Sequence, residues 1–370
     1  MTEELFEKVP APPEDYIRVP ADKLKEFVKK VFMAYDVPEE DAEVTADVLV
    51  AADLRGIESH GVQRLKRYID GLKNGVVKPR PNIKIVREGP TYALIDGDFG
   101  LGQPISWKAV KIAIEKAKKN YIGMVGVYHS NHHGIEGYWV MKMVEEDLIG
   151  LATTNTRPLA APTGGLARVI GTNPIAFGAP TKTPPPLIVD MASTIVPSGK
   201  IEVYRRKAKP IPEGWVVGPD GKYITDPEKA MPAKGGILLP LGGLYELMGG
   251  HKGYCLNLIL EVLSGVLTGS ALSYDVGPTQ GPKPSNVGHF FLAINVEAFM
   301  PLDKFKERMD ELIKRLKSTP LHPEFKRIWI PGEKSYLTTQ TRLKIGVPVY
   351  KKVYEEIKKI GEEVGVKFPE

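Results

Sequence analysis

The sequence predicts an α+β fold, with helices gathered at the two ends of the chain and strands between them. Three observations carry this. Apolar residues recur at helical spacing over about 19–75 and again over 303–365. Short apolar or alternating runs, separated by Gly- and Pro-rich turns, fill 83–302. The glycine fingerprint G-x-G-x-x-G is nowhere in the chain, which argues against a doubly wound parallel sheet. The expected division is an N-terminal arm (1–18), a helical domain (19–82 with 303–365) and a sheet domain (83–302) with an inserted helical segment near 245–275.

Each element has its own signal. Leu24, Phe27, Val28, Val31, Phe32 and Tyr35 follow i, i+3, i+4, i+7, i+8, i+11, which predicts the first helix. "VPEED" starts the second, with Pro38 in the first turn and acids where the helix dipole favours them; it ends near Gly56. A third helix is expected from Ser59, as N-cap, to just before Asn74-Gly75. "PNIKIVREGPTYALIDGD" reads as two short strands about a Gly-Pro turn, and "ISWKAVKIAIEKAKKN" as an amphipathic helix. "IGMVGVYHS", "IGLATTNT", "NPIAFGAP", "PLIVDMAS" and "HFFLAINVE" read as strands. Residues 253–272 are apolar almost all round and predict a buried helix; Asn257 and Glu261 interrupt any membrane span. Residues 207–230 read as a polar excursion with a small hairpin, and two solvent-edged helices close the chain.

Composition narrows the function. The 370 residues are 42% hydrophobic and 26% charged, with a formal net charge of +5. The charges are interspersed, so nucleic-acid binding is not expected, while an anionic small molecule suits the mild excess of bases. No segment has the length of a membrane span, and a cytoplasmic protein is expected. The single cysteine, Cys255, excludes an internal disulfide framework and reads as a buried thiol. Four glutamines against 32 prolines lean towards a thermophilic source.

Five stretches are candidates for chemistry. In "SHGVQRLKRY" (59–68), His60, Arg64 and Tyr68 fall four residues apart and share a helix face, opposite an apolar stripe of Leu65, Ile69 and Leu72. Singly, each is an ordinary polar surface residue. Together, with Ser59 ahead of them, they suit a site in which an imidazole exchanges a proton and a guanidinium clamps a carboxylate. "YHSNHHGIEGYW" (128–139) holds three of seven histidines at a strand-to-helix junction, where free backbone N–H groups suit a ligand. No Cys/His pair or His-Glu-x-x-His accompanies them, so a metal is not expected; His133 reads as a surface residue. "LPLGGLYELMGGHKGY" (239–254) offers Leu241, Gly242, His251 and Lys252, a combination that suits a phosphate group and equally a plain glycine turn. Asp190, in "VDMAST", ends an apolar strand, where an acid can orient a histidine or bind a ribose hydroxyl. "GEK" (332–334) is a polar turn, silent by itself.

Taken in order, "ADLRGIESHGVQRLKRY", "SNHHGIEGYW", "TNTRPLAAPTGG", "GTNPIAFGAPT", "DMASTIVPSGKIEVYRRK", "LPLGG", "GGHKGY" and "GEK" resemble the malate/L-lactate dehydrogenase family that lacks the usual Rossmann fold. The likeness covers about 16–365 and is strongest to the archaeal malate and L-sulfolactate dehydrogenase branch. The family also holds ureidoglycolate dehydrogenase, diketogulonate reductase and an imine reductase for cyclic amino acids. The resemblance implies NAD- or NADP-linked interconversion of an L-2-hydroxy acid and its 2-oxo acid, malate and oxaloacetate foremost. It also implies a homodimer and a mostly antiparallel cofactor-binding sheet. By position it makes Ser59, His60 and Asp190 a proton relay, His132 a second candidate base and Arg64 the carboxylate clamp. Arg157, in "TNTRP", is the understudy for a second carboxylate. Asp190, Met191, Ala192, Leu241, Gly242, His251, Lys252, Gly332, Glu333 and Lys334 fall where the cofactor is expected. Arg205, Arg206 and Lys207 form a basic run that suits either solvent or the 2′-phosphate of NADP.

Overall fold

The computed structural model describes residues 6, 7 and 13–369; the remainder of the expected N-terminal arm lies outside the described residues. A seven-stranded mixed sheet runs through the middle of the molecule. Its strands are β2 (Lys84–Glu88), β3 (Tyr92–Asp96), β4 (Ile122–Ser130), β5 (Leu148–Thr154), β6 (Ile175–Ala179), β7 (Leu187–Met191) and β10 (Val287–Asn295), in spatial order β2-β3-β4-β10-β5-β6-β7. Only β3 and β4 run parallel; every other neighbouring pair is antiparallel. The parallel pair needs a crossover, and α4 (Gly102–Asn120) supplies it. This is an α+β fold with a mostly antiparallel sheet, not a doubly wound one.

Two cores hold the sheet and its helices. In the first, α4 and α5 (Glu136–Val144) press Ile105, Ala113, Trp139 and Met143 onto Val125, Val127, Ala152 and Phe291. α4 lies so close to β4 that a Cβ on Gly123 would sit 2.0 Å from the Ala113 carbonyl oxygen, so only glycine fits there. In the second, α1 (Ala21–Ala34), α2 (Glu39–Leu54), α3 (Leu65–Lys73) and α10 (Lys351–Glu363) close around Leu24, Phe27, Phe32, Leu49, Leu65 and Ile357. Each such side chain contributes about 1.5–3 kcal/mol on burial. A two-stranded ribbon, β1 (Tyr16–Val19) with β11 (Val347–Tyr350), ties the two chain ends into this core. The helical N- and C-terminal regions therefore pack together, with α9 (Glu333–Ile345) against α2 and β11. α8 (Leu302–Lys317) buries no residue and leans on the β6–β7 turn, where Thr183 N–H donates to Asp310 at 3.0 Å and Lys182 meets Glu307 at 3.1 Å. A third, smaller core lies beneath α6 (Ser198–Arg206) and the β8 (Val216–Val217) and β9 (Ile237–Leu238) hairpin.

Three expectations change. The third helix does not begin at Ser59: two short 3₁₀ turns, Glu58–His60 and Val62–Arg64, come first, and α3 starts at Leu65. Gly61 between them is extended, and the Asp53 carboxylate packed against it leaves no room for a Cβ. The run 253–272 is not buried all round. It forms α7 (Gly250–Glu261) and a wider π-helical turn, Val262–Val266, with Leu258, Ile259, Val262, Val266 and Leu267 exposed. Cys255 is exposed on the same helix rather than buried. Among the described residues, no helix is long and apolar enough to cross a membrane, and no group of three His, Cys, Asp or Glu side chains could hold a metal ion.

Candidate active site

One cleft of about 510 Å³ collects most of the expected residues. That volume falls in the usual range for small-molecule and cofactor sites. Ser59, His60, Arg64 and His132 form part of its wall, with Arg157 from the loop after β5. Asp190, Met191 and Ala192, from the end of β7, and Leu241 form another part. Tyr68 stands one layer back, fully buried, and reaches the site through His132. Gly242, His251 and Lys252 lie outside the wall. So do Gly332, Glu333 and Lys334, although Ser335 just after them lines it. Glu333 pairs with Lys317 and Arg327 and accepts the Ile330 N–H.

The turn that carries His60 is held from behind. Asp53, buried on α2, accepts the Val62 N–H at 2.8 Å, and loss of solvent pushes its carboxyl up to about 7. Ser59 Oγ lies 2.8 Å from His60 Nδ1. The His60 and His132 rings stack with centroids 5.5 Å apart and planes 19° from parallel. The Tyr68 hydroxyl lies 2.5 Å from His132 Nδ1, and the Gly134 N–H points at the same nitrogen from 3.4 Å. A backbone N–H can only donate, so Nδ1 of His132 is an acceptor and its Nε2 carries the proton. His60 has no such constraint, because a serine hydroxyl can donate or accept. Burial, then the Arg64 and Arg67 charges, hold His60 down at about 3; burial and Arg67 likewise hold His132 well below the usual histidine range. Both imidazoles are neutral at pH 7. Burial pushes the Tyr68 phenol up to about 12, so it stays protonated.

Three guanidiniums share one end of the cleft. Arg64 is anchored: its Nε donates to the Ser59 carbonyl at 2.7 Å and its Nη1 to Glu202 at 2.8 Å. Arg67 and Arg157, both half-buried, have no ion-pair partner among the described residues. Loss of solvent, then the Arg64 charge, bring Arg67 down to about 10; loss of solvent also lowers Arg157. Sequence reasoning missed Arg67 and Glu202. It followed a spacing of four from His60, whereas the extended Gly61 breaks the helix and Arg67 sits three residues after Arg64, on the same face.

Asp190 occupies a different neighbourhood. Its Oδ2 accepts the Gly137 N–H at the start of α5, at 2.8 Å, where the helix dipole favours an anion. Among the described residues no hydrogen bond joins it to His60 or Ser59, so the three-membered relay is not closed. Enclosure by protein, offset by the Gly137 N–H, places its carboxyl at about 6. Beside it, His133 is not on the surface but 1% exposed. Its Nε2 lies 2.6 Å from Glu136, its Nδ1 2.7 Å from Ser106 Oγ, and its ring stacks on His289 at 3.9 Å.

A fold with one predominantly antiparallel sheet and a cleft of histidines and arginines matches a known class of dehydrogenases. The chain belongs to the malate/L-lactate dehydrogenase family, whose model matches residues 19–358. It is therefore a 2-hydroxy acid dehydrogenase, an enzyme that works with a nicotinamide cofactor. A malate dehydrogenase of Pyrococcus abyssi is 55% identical over 96% of this chain and 97% of its own. An L-sulfolactate dehydrogenase of Methanocaldococcus jannaschii is 42% identical over 92% and 96%. The structure of the Pyrococcus horikoshii OT3 malate dehydrogenase superposes with a TM-score of 0.91 at 51% identity, covering 98% of this chain and all of that one.

Proposed function

We propose that this chain interconverts L-malate and oxaloacetate, with His60 as the proton carrier. The observation that supports it is the pair of unpartnered guanidiniums, Arg67 and Arg157, lining the same cleft as the stacked His60 and His132. Two free cations suit an acid with two negative charges better than lactate, which has one. Sulfopyruvate carries the same charge and is the second reading; imine and ureido substrates use the doubled charge less well.

The cleft fits the cofactor by its volume and by the Asp190 carboxyl, which opens into it and suits a hydrogen-bond donor. Asp190, Met191, Ala192 and Leu241 are the residues proposed to hold it. When bound, the nicotinamide gives or takes the hydride. The residues of the chain do the rest. Arg157 and Arg67 hold the two anionic ends, with Arg64 lending charge nearby. His132, fixed as the Nε2–H tautomer, donates to the substrate oxygen. His60, free to change tautomer against Ser59, takes the hydroxyl proton during oxidation. In reduction it must first gain a proton. Burial is the main cause of its low pKa and the guanidinium charges the lesser one; the entering dianion offsets the charges, which favours uptake of that proton from solvent.

Arg205, Arg206 and Lys207 stand outside the cleft, facing Glu228, Glu356 and Glu58, which supports NAD over NADP. The exposed apolar side of α7 supports a homodimer in which a second copy covers it. The test is a panel of oxaloacetate, sulfopyruvate, pyruvate and a cyclic imine, followed by NADH and NADPH absorbance. Oxaloacetate is expected to give the highest kcat/KM, and a tenfold fall in the oxaloacetate-to-pyruvate ratio is expected for Arg157→Ala. An unchanged ratio would remove Arg157 from the site.

A further inference from the structure

We propose that Glu136 holds the nicotinamide end of the cofactor: its unpaired carboxyl oxygen donates to the carbonyl of the ring's carboxamide, while Asp190 accepts the amide N–H. The inference rests on the reading above that the cofactor is held at Asp190.

Glu136 opens α5 and borders the cleft, yet only 1% of it is exposed. One of its oxygens is engaged: Oε1 lies 2.6 Å from His133 Nε2. The other, Oε2, is buried and has no hydrogen-bond partner among the described residues. A buried polar atom left so costs free energy, and a ligand that pairs with it recovers that cost. Asp190 lies close by. Its Oδ2 accepts the N–H of Gly137, the residue after Glu136, at 2.8 Å, and nearness to Glu136 helps to raise its carboxyl.

The two acids differ in state. Asp190 opens into the cleft, has the Arg55 cation nearby, and is an anion above about pH 6. Burial instead pushes the Glu136 carboxyl well above the usual range and keeps His133 neutral. The Ser106 hydroxyl, 2.7 Å from His133 Nδ1, can donate there. The ring proton then sits on Nε2, facing Oε1, and the carboxyl proton sits on Oε2. A carboxylate beside a carboxylic acid is one acceptor beside one donor. A primary carboxamide is the complement, with an N–H for Asp190 and a carbonyl for Glu136. The nicotinamide ring carries such a group. A ribose diol calls for no second acid, because a single carboxylate accepts from ribose hydroxyls unaided.

The experiment measures cofactor binding without turnover, in the intact enzyme. NADH affinity is read from its fluorescence. ADP-ribose, which has all of NADH except the nicotinamide ring, is titrated as a competitor. In Glu136→Ala the Kd for NADH is expected to rise about five- to tenfold, while that for ADP-ribose changes less than about threefold. His133→Phe/Glu136→Ala removes both members of the buried pair, and it should show the same split if the single variant folds poorly. Glu136→Gln keeps an N–H donor in place of the Oε2 hydroxyl and should stay within about threefold of wild type for both ligands. Equal shifts for NADH and ADP-ribose, no shift, or a Glu136→Gln variant as weak as Glu136→Ala would overturn the proposal. If Asp190→Ala leaves NADH affinity unchanged, the cofactor is held elsewhere; the functional reading of the cleft has then failed, and this inference falls with it.

Discussion

Two pairs of stacked imidazoles stand close together in this molecule. His60 and His132 lie 5.5 Å apart at the wall of the cleft, and His133, which borders the same cleft but is only 1% exposed, lies 3.9 Å from the buried His289. All four are held below the usual histidine range, and in all four burial is the largest cause. The pairs differ in what their nitrogens touch. Every ring nitrogen of the inner pair has a partner: Ser106 and Glu136 for His133, Thr154 and Ser130 for His289. In the cleft pair, among the described residues, only the Nδ1 atoms are engaged, by Ser59 for His60 and by Tyr68 and the Gly134 N–H for His132. A depressed pKa therefore does not mark the working histidine. A nitrogen left unpaired beside open space is the better mark, and under the proposed mechanism it gives the chemistry to residue 132 and a supporting place to residue 133.

The sharpest way to break this comparison is to remove one histidine from each pair. His60→Ala should lower kcat by about 10²–10⁴-fold while NADH still binds, as measured by cofactor fluorescence. If turnover survived, the cleft pair would have no chemical role. His133→Phe should instead damage stability, because it leaves Glu136 buried without a partner. The expected loss is about 1–3 kcal/mol in denaturant unfolding, the cost of a buried polar group left unpaired, since burial keeps His133 neutral and raises the Glu136 carboxyl. Replacing both, in His133→Phe/Glu136→Ala, should recover most of that loss with kcat within a few fold of wild type. A double variant as inactive as His60→Ala would place the inner pair in the reaction.

The pH dependence sharpens the same contrast. His60 stays neutral in the folded chain down to about pH 3, whereas in the unfolded chain it takes up a proton near pH 6.5. Its contribution is therefore full above about 6.5 and is lost as pH falls from there towards 3, because the unfolded state binds the extra proton. His60→Gln should flatten the fall of unfolding free energy with acid by up to about 1.4 kcal/mol per pH unit in that window. An unchanged slope would show that His60 is solvated in the native state. The smallest effect belongs to Tyr68→Phe, which removes the hydroxyl partner of His132 Nδ1. It should lower kcat by roughly tenfold or less and leave KM unchanged, in keeping with about 1 kcal/mol for one hydrogen bond.

Periodicity made most of the fold legible. Leu24 to Phe32 are all buried as their spacing demands, and the five strands expected from "IGMVGVYHS" to "HFFLAINVE" all pair in the sheet. α9 went unseen because "GEKSYLTTQTRLKI" has scarcely any apolar face; its place comes from tertiary packing on α2 and β11. The cleft was half legible. His60, Arg64, His132, Arg157 and Asp190 do meet there. Arg67 and Glu202 stayed hidden because the break at Gly61 depends on Asp53, which a single helical period cannot reveal. His133 was misplaced for a related reason. Its partners, Glu136 three residues on and Ser106 and His289 far away in sequence, bury it only once α4, α5 and β10 come together.

The most direct test of the account is a single-turnover experiment on enzyme loaded with NADH and mixed with oxaloacetate, run in parallel on wild type, His60→Ala, His132→Ala and His133→Phe/Glu136→Ala. The His60 and His132 variants are expected to lose about 10²–10⁴-fold in the rate of NADH oxidation, while the His133/Glu136 double variant stays within a few fold of wild type. Equal losses in all three variants, or a loss confined to the interior one, would contradict it.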